Sequence, residues 1–226
     1  MLLALLLFAQ PTTCPQGDAS CFKSQGIALA AGGNYRAAIQ PFEHACKANP
    51  AEPDACYYWA RALYTSDRFE DALNALAQAH KNATPAWRIA TARGQALDAL
   101  SRPEAEAELK RGLSLFPGQP LREPNPLLAL TNFLYRQGRP TEALKLLHSA
   151  PAPYQSLATY HYQLGRALAN QQQWPAAAEA LRKAVALDPN LSDAHGLLSR
   201  AYYRLGNNEL GAAHSRLATQ GSTTSR

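Results

Sequence analysis

Three columns of residues repeat in step along this chain. One runs Ala38, Ala72, Ala105, Ala143, Ala177 and Gly211, a second Phe42, Leu76, Leu109, Leu147, Leu181 and Ser215, and a third Ala45, Ala79, Gly112, Ala150, Ala184 and Ala218. Each column advances by 34, 33, 38, 34 and 34 residues. Within a unit the columns fall at helical spacing, on one face. A period near 34 is the length of a two-helix repeat, in which stacked neighbours bury a continuous core that no unit could bury alone.

Residues 26–50 show the physics of one unit. Gly26 lets two helices approach where a side chain would hold them apart, and Gly33-Asn34 breaks the chain between them. Tyr35 packs into the turn, Ala38, Phe42 and Ala45 repeat at helical spacing, and Pro50 stops the second helix. The fifth unit repeats this order with Leu164, Gly165, Leu168, Trp174, Ala177, Leu181, Ala184 and Asp188-Pro189. Composition agrees: the chain is rich in alanine, leucine and glutamine and poor in valine and isoleucine, which favours helix over sheet. With 46% hydrophobic and 17% charged residues it is too apolar for intrinsic disorder, and no apolar run is long enough for a polytopic membrane protein.

These residues resemble the tetratricopeptide-repeat family, whose 34-residue unit places an aromatic, a Leu-Gly pair, a Tyr or Leu, an Ala, an aromatic, an Ala and a Pro at fixed positions. The resemblance implies an all-α fold, a right-handed α-solenoid of about six helix-turn-helix units near 19–52, 53–86, 87–120, 124–157, 158–191 and 192–219. Residues 1–17 are read as a hydrophobic N-terminus and linker, and 220–226 as a disordered tail. Units 2 and 6 carry Ala60 and Ser199 at the glycine position, and unit 3 is a residue short near Ser101–Pro103. Pro151 and Pro153 shorten the second helix of unit 4. The 38-residue step holds Pro117, Pro120, Pro124 and Pro126, which read either as a joint between two three-unit halves or as an exposed loop.

Met1–Pro11 contains an eight-residue apolar run like the core of a secretory signal, too short to span a bilayer. No basic residue precedes it, and Leu7 stands where a second small residue belongs before a cut at Ala9. A periplasmic or secreted location follows if the segment is a signal, a cytoplasmic one if it is not. The four cysteines, Cys14, Cys21, Cys46 and Cys56, form two close pairs that read as a disulfide framework or as four buried thiols. Units 1 and 2 also resemble the cysteine-rich Sel1-like relatives of the family, which implies a bridge from Cys46, ending one helix, to Cys56, opening the next. Cys14 with Cys21 is the second expected bridge.

The formal charge of +5 is uneven. Residues 1–86 carry six basic and seven acidic side chains, and residues 87–226 carry sixteen and ten, so the positive field belongs to the C-terminal part. No phosphate-binding glycine loop, nucleophile elbow, HExxH or CxxC spacing occurs, and the reading is of a non-enzymatic chain with no cofactor and no metal. Of six scattered histidines, His161 and His195 share one column and read as packing residues. Asn82-Ala-Thr84 and Asn190-Leu-Ser192 match the glycosylation sequon.

The resemblance also implies a groove lined by the fifth, ninth, twelfth and thirteenth positions of each first helix. Those positions yield the candidate peptide-binding residues Tyr57, Arg61, Tyr64, Asn132, Tyr135, Arg136, Tyr162, Arg166, Arg200, Tyr203 and Arg204, with Lys23, Gln95, Asp98 and Asn170 beside them. Tyrosine supplies rigid apolar area with a polar tip and arginine a planar fork for carboxylates, a mixture suited to an acidic or carboxylate-bearing peptide. The expected function is a protein–protein interaction scaffold of the cell envelope, with no small-molecule substrate, no stable membrane insertion, and a weak homodimer through the last helix. The alternative is a solenoid that binds nucleic acid through its basic C-terminal part.

Overall fold

The computed structural model describes residues 14–79, 84–117 and 125–223. Among these residues the chain is all-α, with twelve α-helices, one 3₁₀ turn and no strand. The first five helices are α1 (Ala19–Ala31), α2 (Tyr35–Ala48), α3 (Ala55–Thr65), α4 (Phe69–Ala77) and α5 (Ala86–Ala99). Then come α6 (Ala105–Ser114), α7 (Pro126–Arg136), α8 (Pro140–His148), α9 (Ala158–Asn170), α10 (Trp174–Leu187), α11 (Ser192–Arg204) and α12 (Asn208–Thr223). The signal-like run lies outside the described residues. None of the described helices is long and apolar enough to cross a membrane.

Two compact units divide the chain, residues 1–100 and 101–226. The division falls inside the third repeat, at its shortened turn, and not at the proline-rich stretch that sequence alone offered as a joint. In the first unit each of α1 to α5 packs on the next, and α3 also touches α1 and α5. In the second, α6 to α12 follow one another in the same way, and α9 also touches α7 and α11. First helix against first helix is the packing of a one-dimensional stack.

The three repeating columns are the core. Ala38, Ala45, Ala72, Ala105, Leu109, Ala143, Leu147, Ala177, Leu181 and Ala184 are all buried. Glycine matters where the columns meet: a Cβ on Gly26 would lie 2.6 Å from the Phe42 ring, and one on Gly165 would lie 2.5 Å from Leu181. At the glycine position of unit 6 the Ser199 hydroxyl instead donates to the Gly211 carbonyl at 2.8 Å.

A further column is conformational. Gly33, Asp67, Ser101, Gly138, Gln172 and Gly206 all have positive φ, between 55° and 78°, one in the turn of each repeat. In five of the repeats the next residue's N–H reaches back five residues, as Asn34 to Leu29, Arg68 to Leu63, Arg139 to Leu134, Gln173 to Leu168 and Asn207 to Tyr202. This left-handed C-terminal cap satisfies carbonyls the helix end would leave open.

Both expected disulfides are present. Cys46 and Cys56 join α2 to α3 with Cα atoms 4.7 Å apart, and Cys14 and Cys21 tie the segment before α1 to that helix. In unit 4, α8 ends at His148 and the 3₁₀ turn Ala152–Ser156 carries Tyr154 into the core, so the prolines shorten the helix as expected. The tail expected from residue 220 is corrected for 220–223, where α12 continues through Thr223, and residues 224–226 lie outside the described residues.

Candidate functional site

The second unit holds a cleft of about 760 Å³ whose wall comes chiefly from α9 and α11. Tyr162, Arg166 and Asn170 step along one face of α9 at intervals of four, and Asp193, Gly196, Leu197 and Arg200 do the same on α11 at intervals of three and four. Tyr135 from α7, Trp174 at the start of α10 and Ala218 of α12 complete the lining. The 34-residue period places Asn132, Arg166 and Arg200 at equivalent positions of three successive first helices, so register alone sets two guanidinium groups side by side.

Arg166 is held from two sides. Its guanidinium carbon sits 4.2 Å from the centre of the Tyr135 ring, and one of its nitrogens donates to Asn132 Oδ1 at 3.4 Å. The same oxygen accepts from Gln163 Nε2 at 2.6 Å, and the Tyr135 hydroxyl donates to the Gln163 backbone carbonyl at 3.2 Å. Burial pushes the Tyr135 phenol well above its ordinary pKa, against the opposing pull of Arg166. Burial also raises Tyr162, helped by the Asp193 carboxylate. Both phenols therefore stay neutral through the physiological range and act as apolar surface with a hydrogen-bonding tip.

Arg200 is exposed and has no carboxylate or hydrogen-bond partner among the described residues, and Arg166 has no carboxylate partner. Some guanidinium groups elsewhere are matched by carboxylates. Arg88 pairs with Asp54 at 2.7 Å, Arg68 with Asp71 at 2.7 Å, and Arg139 with both Glu106 and Glu142. The cleft thus concentrates two cations against the single carboxylate of Asp193.

Of the eleven residues expected in a groove, the cleft brings together Tyr135, Tyr162, Arg166 and Arg200, with Asn132 behind Arg166. Arg204 lies over the Trp174 ring, 5.6 Å from its centre, and so braces one wall. The Tyr203 ring covers Gly211 on α12, and Arg136 is exposed at the end of α7 outside the cleft lining. In the first unit, Tyr57 departs from the expectation: only 1% of it is exposed, because the ring packs in the core beneath the Arg61 and Arg88 guanidinium groups. Arg61 and Tyr64 are half-buried there, the Tyr64 ring edge-on to Phe69. Lys23 is spent on Glu52 at 2.5 Å.

Sequence reasoning passed over Trp174 and Gly196. Trp174 occupies a position that the repeat uses for packing, which hid its exposed edge. Gly196 stands mid-helix away from the glycine position of its repeat, a signal that could have been noticed.

Profiles described as tetratricopeptide repeat match residues 158–191 and 29–96. No curated protein sequence matches the chain. Among solved structures, a chain of the APC/C hetero-tetramer Cut9-Hcn1 is similar over 92% of this chain and 41% of its own, at 17% identity and a TM-score of 0.75. The type IV pilus biogenesis factor PilW is similar over 87% of this chain and 90% of its own, at 21% identity and a TM-score of 0.68. The human IFIT1 dimer with PPP-AAAA is similar over 89% of this chain and 50% of its own, at 21% identity and a TM-score of 0.69. This chain therefore spans half or less of the Cut9-Hcn1 and IFIT1 chains. At such identities the likeness is one of fold.

Proposed function

Because this chain belongs to the tetratricopeptide-repeat family, we propose that it is a non-enzymatic protein-interaction scaffold whose second unit holds an acidic or carboxylate-bearing polypeptide segment in the α9–α11 cleft. One observation carries the reading: Arg166 and Arg200 line the same cleft and neither has a carboxylate partner. Two neighbouring guanidinium groups repel, so an incoming carboxylate relieves that repulsion as well as forming charge-assisted hydrogen bonds. Tyr135 and Asn132 hold Arg166 in place before any partner arrives, which lowers the ordering cost of binding. Tyr162 and Trp174 supply the apolar area against which a segment packs. Two disulfides support a working place in an oxidising compartment such as the periplasm or the cell exterior.

Replacing Arg166 and Arg200 together with alanine is expected to weaken partner binding at least tenfold, with the helical signal and melting temperature nearly unchanged, because neither side chain lies on a packing column. Titration calorimetry against a captured partner reads the first effect and circular dichroism the second. Unchanged binding in the double variant would refute the assignment of this cleft.

A second reading is single-stranded nucleic acid, favoured by aromatic rings beside arginines and by the oligonucleotide in the IFIT1 structures. It requires affinity that falls steeply with salt.

A further inference from the structure

Most glycines of this chain have a visible reason. Gly26 and Gly165 lie under Phe42 and Leu181, Gly211 lies under the Tyr203 ring, and Gly17, Gly33, Gly138 and Gly206 have positive φ. Gly196 has none of these. It stands in the middle of α11, and a Cβ there would meet only the Ala218 Cβ, at an ordinary 3.9 Å. A glycine inside a helix is the least favoured residue after proline. The preceding repeats place Leu128 and Tyr162 at the equivalent position, so the register accepts large side chains elsewhere. At 196 the missing side chain leaves open space in the cleft that Leu197, Ala218, Arg166 and Arg200 also line.

We infer that Gly196 forms the floor of a side-chain pocket and that the acidic segment is anchored there by a bulky apolar residue, leucine or aromatic. This rests on the reading of the cleft given above and adds the part of the partner that sets specificity. The two guanidinium groups, neither of which has a carboxylate partner, select acidic flanks, and the open space beside α12 selects the side chain that enters. A nucleic acid is the competing occupant, and an oligoadenylate in the test distinguishes it.

Three fluorescent-labelled pentapeptides test this, each with four glutamates around a central alanine, leucine or phenylalanine, titrated by anisotropy against the full chain and against Gly196→Ala, Gly196→Leu and the Arg166→Ala, Arg200→Ala double variant. The wild type is expected to bind the leucine or phenylalanine peptide about tenfold more tightly than the alanine peptide. Gly196→Leu fills the open space and abolishes that preference, while the arginine variant weakens all three peptides alike. Gly196→Ala should raise the melting temperature by about 2–4 °C, as a helix-interior glycine without a packing role must. Equal affinity for the three peptides, lost in the arginine variant, overturns the pocket and leaves the cleft standing. A preference that survives Gly196→Leu, or a lower melting temperature for Gly196→Ala, overturns the pocket as well. Failure of all three peptides to bind, or binding of an oligoadenylate in their place, overturns the cleft reading and the pocket with it.

Discussion

Gln172 is a residue out of its preferred conformation. Its φ of 60° falls at the turn position that Gly33, Gly138 and Gly206 fill in other repeats, and an L side chain there is strained against the following carbonyl. The cap that requires it is nevertheless complete, with Gln173 N–H bonded to the Leu168 carbonyl at 3.0 Å. Gln172→Gly is therefore expected to stabilise the fold by about 0.5–1 kcal/mol, the relief of strain exceeding the added freedom of the unfolded chain. A denaturant titration reads it, and a lower midpoint with unchanged slope would refute it. Asp67 and Ser101 share the strain. The sequence shows this column only in part, because glycine fills three of its six positions and Asp67, Ser101 and Gln172 fill the others.

Between elements, the distance of closest approach decides the sign of a substitution. Gly165→Ala sets a Cβ against Leu181 of the helix packed on α9, and the Ala177 carbonyl at 3.2 Å leaves little room to yield. The expected cost is about 1–3 kcal/mol by thermal or chemical melting, opposite in direction to the same change at Gly196. A neutral effect would mean that α9 and α10 can part without loss. The Cys46–Cys56 bridge joins α2 and α3 across a separation of ten residues, and both sulfurs are buried. Removing it with Cys46→Ser and Cys56→Ser is expected to cost about 2–3 kcal/mol in the chain-entropy view. Because both bridges lie between residues 14 and 56, hydrogen exchange under reductant should quicken in residues 14–100 and leave 125–223 as they were. Equal quickening in both units would show a single cooperative fold.

At the scale of the whole chain, acid should act at the C-terminal end. His195 donates from Nε2 to the Pro189 carbonyl at 3.0 Å, and its Nδ1 lies 2.9 Å from His214 Nδ1, so one of these two nitrogens carries the proton they share. Burial lowers the His214 pKa, and the neighbouring His195 lowers it further. Tyr202 stacks on the His214 ring, and Glu179, Arg182 and Lys183 of α10 face it. A histidine depressed in the folded state binds fewer protons than in the unfolded chain, so its contribution is present above the ordinary 6.5 and is lost as pH falls below it. Stability is expected to decline from about pH 6.5 downward, and His214→Gln should flatten that decline. A profile unchanged by the substitution would refute the role of the pair. His161, in the same column as His195, bonds the Gln155 carbonyl at 2.8 Å, and this supports the packing role read for both.

The sequence by itself determined the repeat, its two-helix length and its six copies, while the disulfide partners were implied only by the family resemblance. The first three follow from period, helix geometry and the residues that break helices, all of them local. It also placed Arg166 and Arg200 at equivalent positions of successive first helices, with Tyr135 and Tyr162 at other groove positions of theirs, because register is a property of spacing. Only the tertiary structure decided that Tyr57 turns into the core, that Lys23 is spent on Glu52, that Trp174 and Gly196 face the cleft, and that Arg166 and Arg200 lack carboxylate partners. Those outcomes depend on which neighbour fills each space and which charge meets which across helices about 34 residues apart, and the spacing of one chain does not contain that information.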